Sequence, residues 1–172
     1  VSITYDEYGR QKTLSDPDAG LIEYDYDAYG QLLSQKDANG AKFYLDYDRL
    51  GRLIEKVEKE DEESPVITKQ VFAYYSSTAA KGRRGAIAYA DFVDENGNIT
   101  REKYLYNDNA QLSQKNIVTD NNNRSFTYLY TYNSKANPEE YTYPSGFTIK
   151  NEYNPENGTL KKVIDKSTNV AI

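Results

Sequence analysis

The sequence predicts an all-β protein made of antiparallel β-hairpin repeats that join into an elongated, curved sheet. Three observations carry the prediction. A Tyr-Asp motif recurs at equal spacing, apolar and polar residues alternate in the stretches around it, and turn-forming residues separate those stretches. Composition agrees. The charged residues make up 28% and the hydrophobic set 38%, too polar for a wide globular core, while 13% aromatic residues is too many for disorder. Tyr supplies 18 of the aromatics against 5 Phe and no Trp, so apolar burial must come from rings whose hydroxyl needs a partner. A thin structure with a tyrosine-rich interior reconciles these numbers.

The regular units come first. Tyr5-Asp6 with Gly9, Tyr26-Asp27 with Gly30 and Tyr47-Asp48 with Gly51 stand at steps of 26 − 5 = 21 and 47 − 26 = 21 residues. Ahead of the Gly, Ile22, Tyr24 and Tyr26 alternate with Glu23, Asp25 and Asp27, and Phe43, Leu45 and Tyr47 repeat the pattern. A period of two places such side chains on one face of a strand. Turn signals follow at Asp16-Pro17-Asp18-Ala19-Gly20 and Asn39-Gly40. Asn-Gly tolerates the positive φ of tight hairpin turns, and in the Tyr-Asp-x-x-Gly segment the Asp bonds nearby amides while Gly takes the left-handed position. These read as two turn types, alternating along a meander.

The middle is irregular. Glu58 to Pro65, "EKEDEESP", is acidic without a strand pattern, and Ser76 to Gly85, "SSTAAKGRRG", is small and basic. Strand patterns return in "VITKQVFAYY" and "GAIAYADFV". Weaker repeat copies then appear at Tyr106-Asn107 with Ala110, Tyr132-Asn133 with Ala136, and Tyr153-Asn154 with Gly158, the last with one extra residue. A Leu follows the Gly or Ala by two residues at Leu32, Leu53, Leu112 and Leu160, whereas Gln11 and Pro138 hold that place in the first and fifth units. The expected organisation is a single repeat array over 1–172: regular repeats over 1–60, a divergent hairpin with insertions over 61–98, and degenerate repeats over 99–172.

Charge and composition remove several functions. A net charge of −6 argues against a phosphate-binding surface and so against nucleic acid. No window approaches eighteen apolar residues, so no membrane span is expected in this segment. The absence of Cys and His leaves no thiol or imidazole nucleophile, no histidine base, no thiolate or imidazole metal site and no disulfide. Lack of Cys also suits an exported protein.

The Tyr-Asp-x-x-Gly-Arg pattern at Tyr5 to Lys12 and Tyr47 to Ile54, with an Asn-Gly or Asp-rich turn between copies, resembles the YD or RHS repeat family. The resemblance covers Ile3 to Glu58 well and Thr100 to Asp165 loosely. It implies a β-hairpin repeat of the sort that winds into a hollow shell, in several members around a toxic polypeptide. The Asp-Pro-rich segment that such shells carry at their end has no counterpart, since Asp16-Pro17 is isolated in a hairpin turn, and no toxin domain follows Ile172. The chain therefore reads as a slice of a longer array or a short relative. MORN-like hairpin repeats are a second resemblance, which "GNITREKYLYNDNAQLSQK" suits equally.

Candidate functional residues are few. Asp25, Asp27, Asp46 and Asp48 could form an acid–base pair, but repetition gives each the same surroundings, whereas paired catalytic carboxylates need different ones. "DENGN" at Asp94 to Asn98 lacks the spacing and distal Glu of a calcium loop. Lys81, Arg83 and Arg84 make the one basic cluster. Tyr8, Tyr29, Tyr44 and Tyr75 lie on turns or on the opposite strand parity from the inward row, so they are the ligand-binding candidates, suited to stacking on sugars. The expectation is a non-enzymatic scaffold, shell or interaction segment, secreted or at the cell surface. Its partner is a protein or the remainder of a longer array, with no catalytic, cofactor or metal site; carbohydrate binding through exposed tyrosines is the alternative.

Overall fold

The structure, a computed structural model, describes residues 1–76, 85–120 and 123–172. The basic cluster Lys81, Arg83 and Arg84 lies outside them. The described residues are all β: fifteen strands in one sheet, each beside its neighbour in sequence. They are β1 (Ser2–Tyr5), β2 (Gln11–Asp16), β3 (Gly20–Tyr26), β4 (Leu32–Lys36), β5 (Lys42–Tyr47), β6 (Leu53–Lys59), β7 (Thr68–Tyr74) and β8 (Ile87–Val93). There follow β9 (Ile99–Tyr106), β10 (Leu112–Thr119), β11 (Arg124–Tyr132), β12 (Pro138–Thr142), β13 (Thr148–Tyr153), β14 (Leu160–Asp165) and β15 (Val170–Ala171). The run expected to lack strand begins inside β6, which continues to Lys59. Two compact units divide the chain: Val1–Ala73 with Asp91–Ile99, and Tyr74–Ala90 with Thr100–Ile172.

In the first unit, Asp6 N–H donates to the Arg10 carbonyl at 2.9 Å and Gly9 N–H to the Asp6 carbonyl at 3.0 Å. This is a three-residue loop, a turn closed by a left-handed residue that bulges the ladder where Tyr5 pairs Gln11. The Asp6 carboxylate accepts from the amides of Tyr8 and Arg10. Asp27 and Asp48 repeat the arrangement. So does Asp37, whose carboxylate takes the amides of Asn39 and Ala41. The expected alternation of two turn types holds at Asp16 to Gly20, where Asp16 takes the amides of Asp18 and Ala19, and is corrected at Asp37-Ala38-Asn39-Gly40, which is the same turn as at Asp27 because it shares the Asp that caps and the Gly that turns left-handed.

In the second unit, Asn107 and Asn133 do the capping through Oδ1. Ala110 (φ 61°) and Ala136 (φ 64°) stand where Gly stands earlier, a conformation that costs an L-residue about 1–2 kcal/mol. The turn at Asn154 holds one more residue, Gly158 N–H reaching the Asn154 carbonyl.

Burial is shallow. Of the described apolar residues only Val57, Ala90 and Ile164 are buried, and no large side chain is fully enclosed. Ile22, Tyr24 and Tyr26 share one face, half-buried, between exposed Leu21, Glu23 and Asp25. The tyrosine row faces as alternation predicts, but with no second layer among the described residues it is not a sealed interior.

Candidate functional site

Four of the six motif tyrosines do the same job. Just beyond a turn the two hairpins on either side part, which leaves a backbone carbonyl without a ladder partner. Tyr26 donates its hydroxyl to the Gln11 carbonyl at 2.9 Å and Tyr47 to the Leu32 carbonyl at 3.0 Å. Tyr132 meets the Leu112 carbonyl at 3.0 Å and Tyr153 the Pro138 carbonyl at 2.6 Å. Gln11, Leu32, Leu112 and Pro138 are the residues paired with the motif tyrosine of the preceding repeat. Each of these four repeats therefore satisfies the one before it, and Tyr106 donates instead to the Ile87 carbonyl at 3.2 Å. Phe would fill the same space and leave the carbonyl bare.

Arg10 makes a second link. Its Nε bonds Asp6 at 2.6 Å within its own turn, its NH1 reaches the Asp27 carbonyl at 2.9 Å in the next, and its guanidinium lies 5.0 Å from the Tyr8 ring centre and 4.9 Å from that of Tyr26. Gln111 bridges in the same way to the Ala136 carbonyl at 3.3 Å.

The four candidate tyrosines do not form one site. Tyr8 and Tyr29, 74% and 92% exposed, lie at the crowns of successive turns and line one cleft of about 330 Å³ with Arg10. Tyr44 sits mid-sheet between Ser34 and Val57, half-buried, with the Lys42 ammonium 4.9 Å from its ring centre. Tyr75 donates to the Tyr104 carbonyl at 2.9 Å and packs edge-on against Tyr106. Of the four, only Tyr8 and Tyr29 are largely exposed, because they alone project from turns, and the Arg10 guanidinium lies over one face of Tyr8.

The candidate carboxylates each accept a hydrogen bond from a nearby group, Asp46 from the Tyr47 amide at 2.9 Å. Asp27 and Asp48 cap turns, and Asp25 accepts from the buried Ser34 hydroxyl at 3.1 Å. Asp48 is held below the usual carboxylate range by the Arg52 side chain and then its amide, and Asp94 likewise by Asn98. Both oxygens of Asp94 are engaged by Asn96 and Asn98 of its own loop. Burial, and then neighbouring charge, raises Tyr47 and Tyr106 above the ordinary phenol range. The sequence did not reveal the hydroxyl-to-carbonyl links or the Arg10 bridge; the fixed 21-residue step combined with Tyr in place of Phe was the only available signal.

These features define a β-hairpin repeat array whose units are joined side to side by tyrosine. Residues 26–61, from the second Tyr-Asp motif through the third, match the RHS repeat family model. No curated protein sequence matches the chain. Among solved structures the chain is similar to one of TcdB2-TccC3-Cdc42, at 15% identity, 99% of this chain, 11% of that chain and a TM-score of 0.43. It is similar also to the Photorhabdus luminescens Tc holotoxin pore with a TccC3 mutation, at 14%, 99%, 11% and 0.46. The chain thus spans about a tenth of the length of the solved chains it matches.

Proposed function

We propose that this chain is a non-enzymatic scaffold segment, secreted or at a cell surface, which forms part of a shell or interaction surface with a protein or with further repeats. The supporting observation is the recurrence of one hydroxyl-to-carbonyl link in both units, at Tyr26, Tyr47, Tyr132 and Tyr153. The motif tyrosines are engaged in joining repeats, and the carboxylates Asp27 and Asp48 in capping turns. In-register excision of Asp27 to Tyr47, which joins Tyr26 to Asp48, tests the modular design. A repeat scaffold loses one repeat's worth of strand and stability but still folds; a structure organised around one site loses its fold altogether.

A second reading is carbohydrate binding, favoured by the exposed rings of Tyr8 and Tyr29 in one cleft beside Arg10. Flat rings stack on sugar faces while neighbouring polar groups bond hydroxyls. A glycan array decides it: saturable binding abolished by Tyr8→Ala and Tyr29→Ala establishes this reading, and an array without binding removes it.

A further inference from the structure

The repeats differ in what fills the gap where adjacent hairpins part. Between β2 and β3 the ladder ends at Thr13 and Glu23, and Arg10, the closing residue of its turn, fills the opening. Between β10 and β11 the ladder ends at Gln114 and Leu129, and Gln111 holds the matching place. Between β12 and β13 the ladder ends at Glu140 and Lys150, but the matching residue is Asn137, too short to cross. The crossing falls to Asn151, whose Nδ2 meets the Pro138 carbonyl at 3.1 Å, and to Lys135, whose Nζ meets the Pro155 carbonyl at 3.2 Å from the crown of the turn. Behind it a cleft of about 450 Å³ stays open, inside the roughly 300–1,000 Å³ range of ligand pockets.

Its lining supplies donors and positive charge. Asn133 and Asn154 stand where the first three repeats carry Asp6, Asp27 and Asp48, so two carboxylates are replaced by amides. Oδ1 of each accepts from backbone amides, and neither Nδ2 has a hydrogen bond among the described residues. Lys150 and Lys161 also line the cleft, and neither is ion-paired among the described residues. Of the two lining carboxylates, Glu152 is already held by Lys162 at 3.3 Å. Ammonium and amide donors around one open volume match a small oxyanion.

We infer that the cleft between β12 and β13, left open by Asn137 and lined by Lys150, Lys161, Asn133 and Asn154, binds the carboxylate or phosphate group of a small soluble molecule. This site is separate from the Tyr8–Tyr29 cleft and does not depend on the scaffold reading.

Calorimetric titration of the whole chain with citrate and, separately, with inorganic phosphate tests it. Saturable binding of either at one site per chain is expected, and which anion binds tells the two chemistries apart. Lys150→Gln should weaken binding about tenfold, the loss of a charge-assisted hydrogen bond. Asn137→Arg is the sharper variant, because it restores the residue that fills the first gap while adding a positive charge. A real cleft site loses binding on that change, with strand content by circular dichroism unchanged. Equal or tighter binding by Asn137→Arg, or saturation by neither anion, overturns the inference.

Discussion

The Tyr47 hydroxyl lies 3.0 Å from the Leu32 carbonyl, a residue of the preceding repeat. The ring itself is only half-buried, so truncation removes part of a side chain's apolar burial together with one hydrogen bond. Tyr47→Ala should cost about 2 kcal/mol, rather than the 3–5 kcal/mol of a core aromatic. Urea unfolding measures it, and Tyr26→Ala should behave alike.

Turn capping needs an oxygen, not a charge. Asp27→Asn should leave stability within about 0.5 kcal/mol, because Asn107 and Asn133 cap equivalent turns through Oδ1. Asp27→Ala should cost about 1 kcal/mol, the amides of Tyr29 and Gln31 having lost their acceptor. Thermal melts of the two variants separate these outcomes.

Ala110 and Ala136 carry left-handed strain that their glycine counterparts do not. Each change to Gly should stabilise by about 1 kcal/mol, and Gly30→Ala should destabilise by a similar amount. Gly20→Ala should be worse, for a Cβ there would stand 2.4 Å from the Ala38 Cβ.

Stability should fall at both ends of the pH scale. Asp48 and Asp94 are depressed in the folded state, so their contribution is present above the unfolded value of about 3.9 and is lost as pH falls through the folded one. Tyr47 and Tyr106 are raised. Their contribution is complete below the unfolded value of about 10 and is lost as pH rises through the folded one. Circular dichroism followed against pH, with tyrosinate absorbance at the alkaline end, checks both limbs.

Much of this architecture was legible in the sequence. The step from Tyr26 to Tyr47 marked the repeat, and the alternation Ile22, Tyr24, Tyr26 marked a strand with one favoured face, since both are local properties of the chain. The identity of the Asp37 and Asp27 turns was legible too, had the Asp four residues before Ala41 been weighed with the Asn-Gly. The depth of burial was not, because alternation says which face a ring takes and nothing of what covers it. The fate of Tyr44 and Tyr75 depended on neighbours 10 to 31 residues away, Ser34, Tyr104 and Tyr106. The cleft at Asn137 came from one shortened side chain, visible only once Arg10 was seen to fill the equivalent gap.

The central claim is that tyrosine hydroxyls join each repeat to the one before it, and a Tyr→Phe series read by urea unfolding tests it most directly. Tyr26→Phe, Tyr47→Phe and Tyr132→Phe should each lose about 1 kcal/mol. Tyr5→Phe should be neutral, since its exposed hydroxyl has no hydrogen-bond partner among the described residues. Equal tolerance at all four positions would contradict the account.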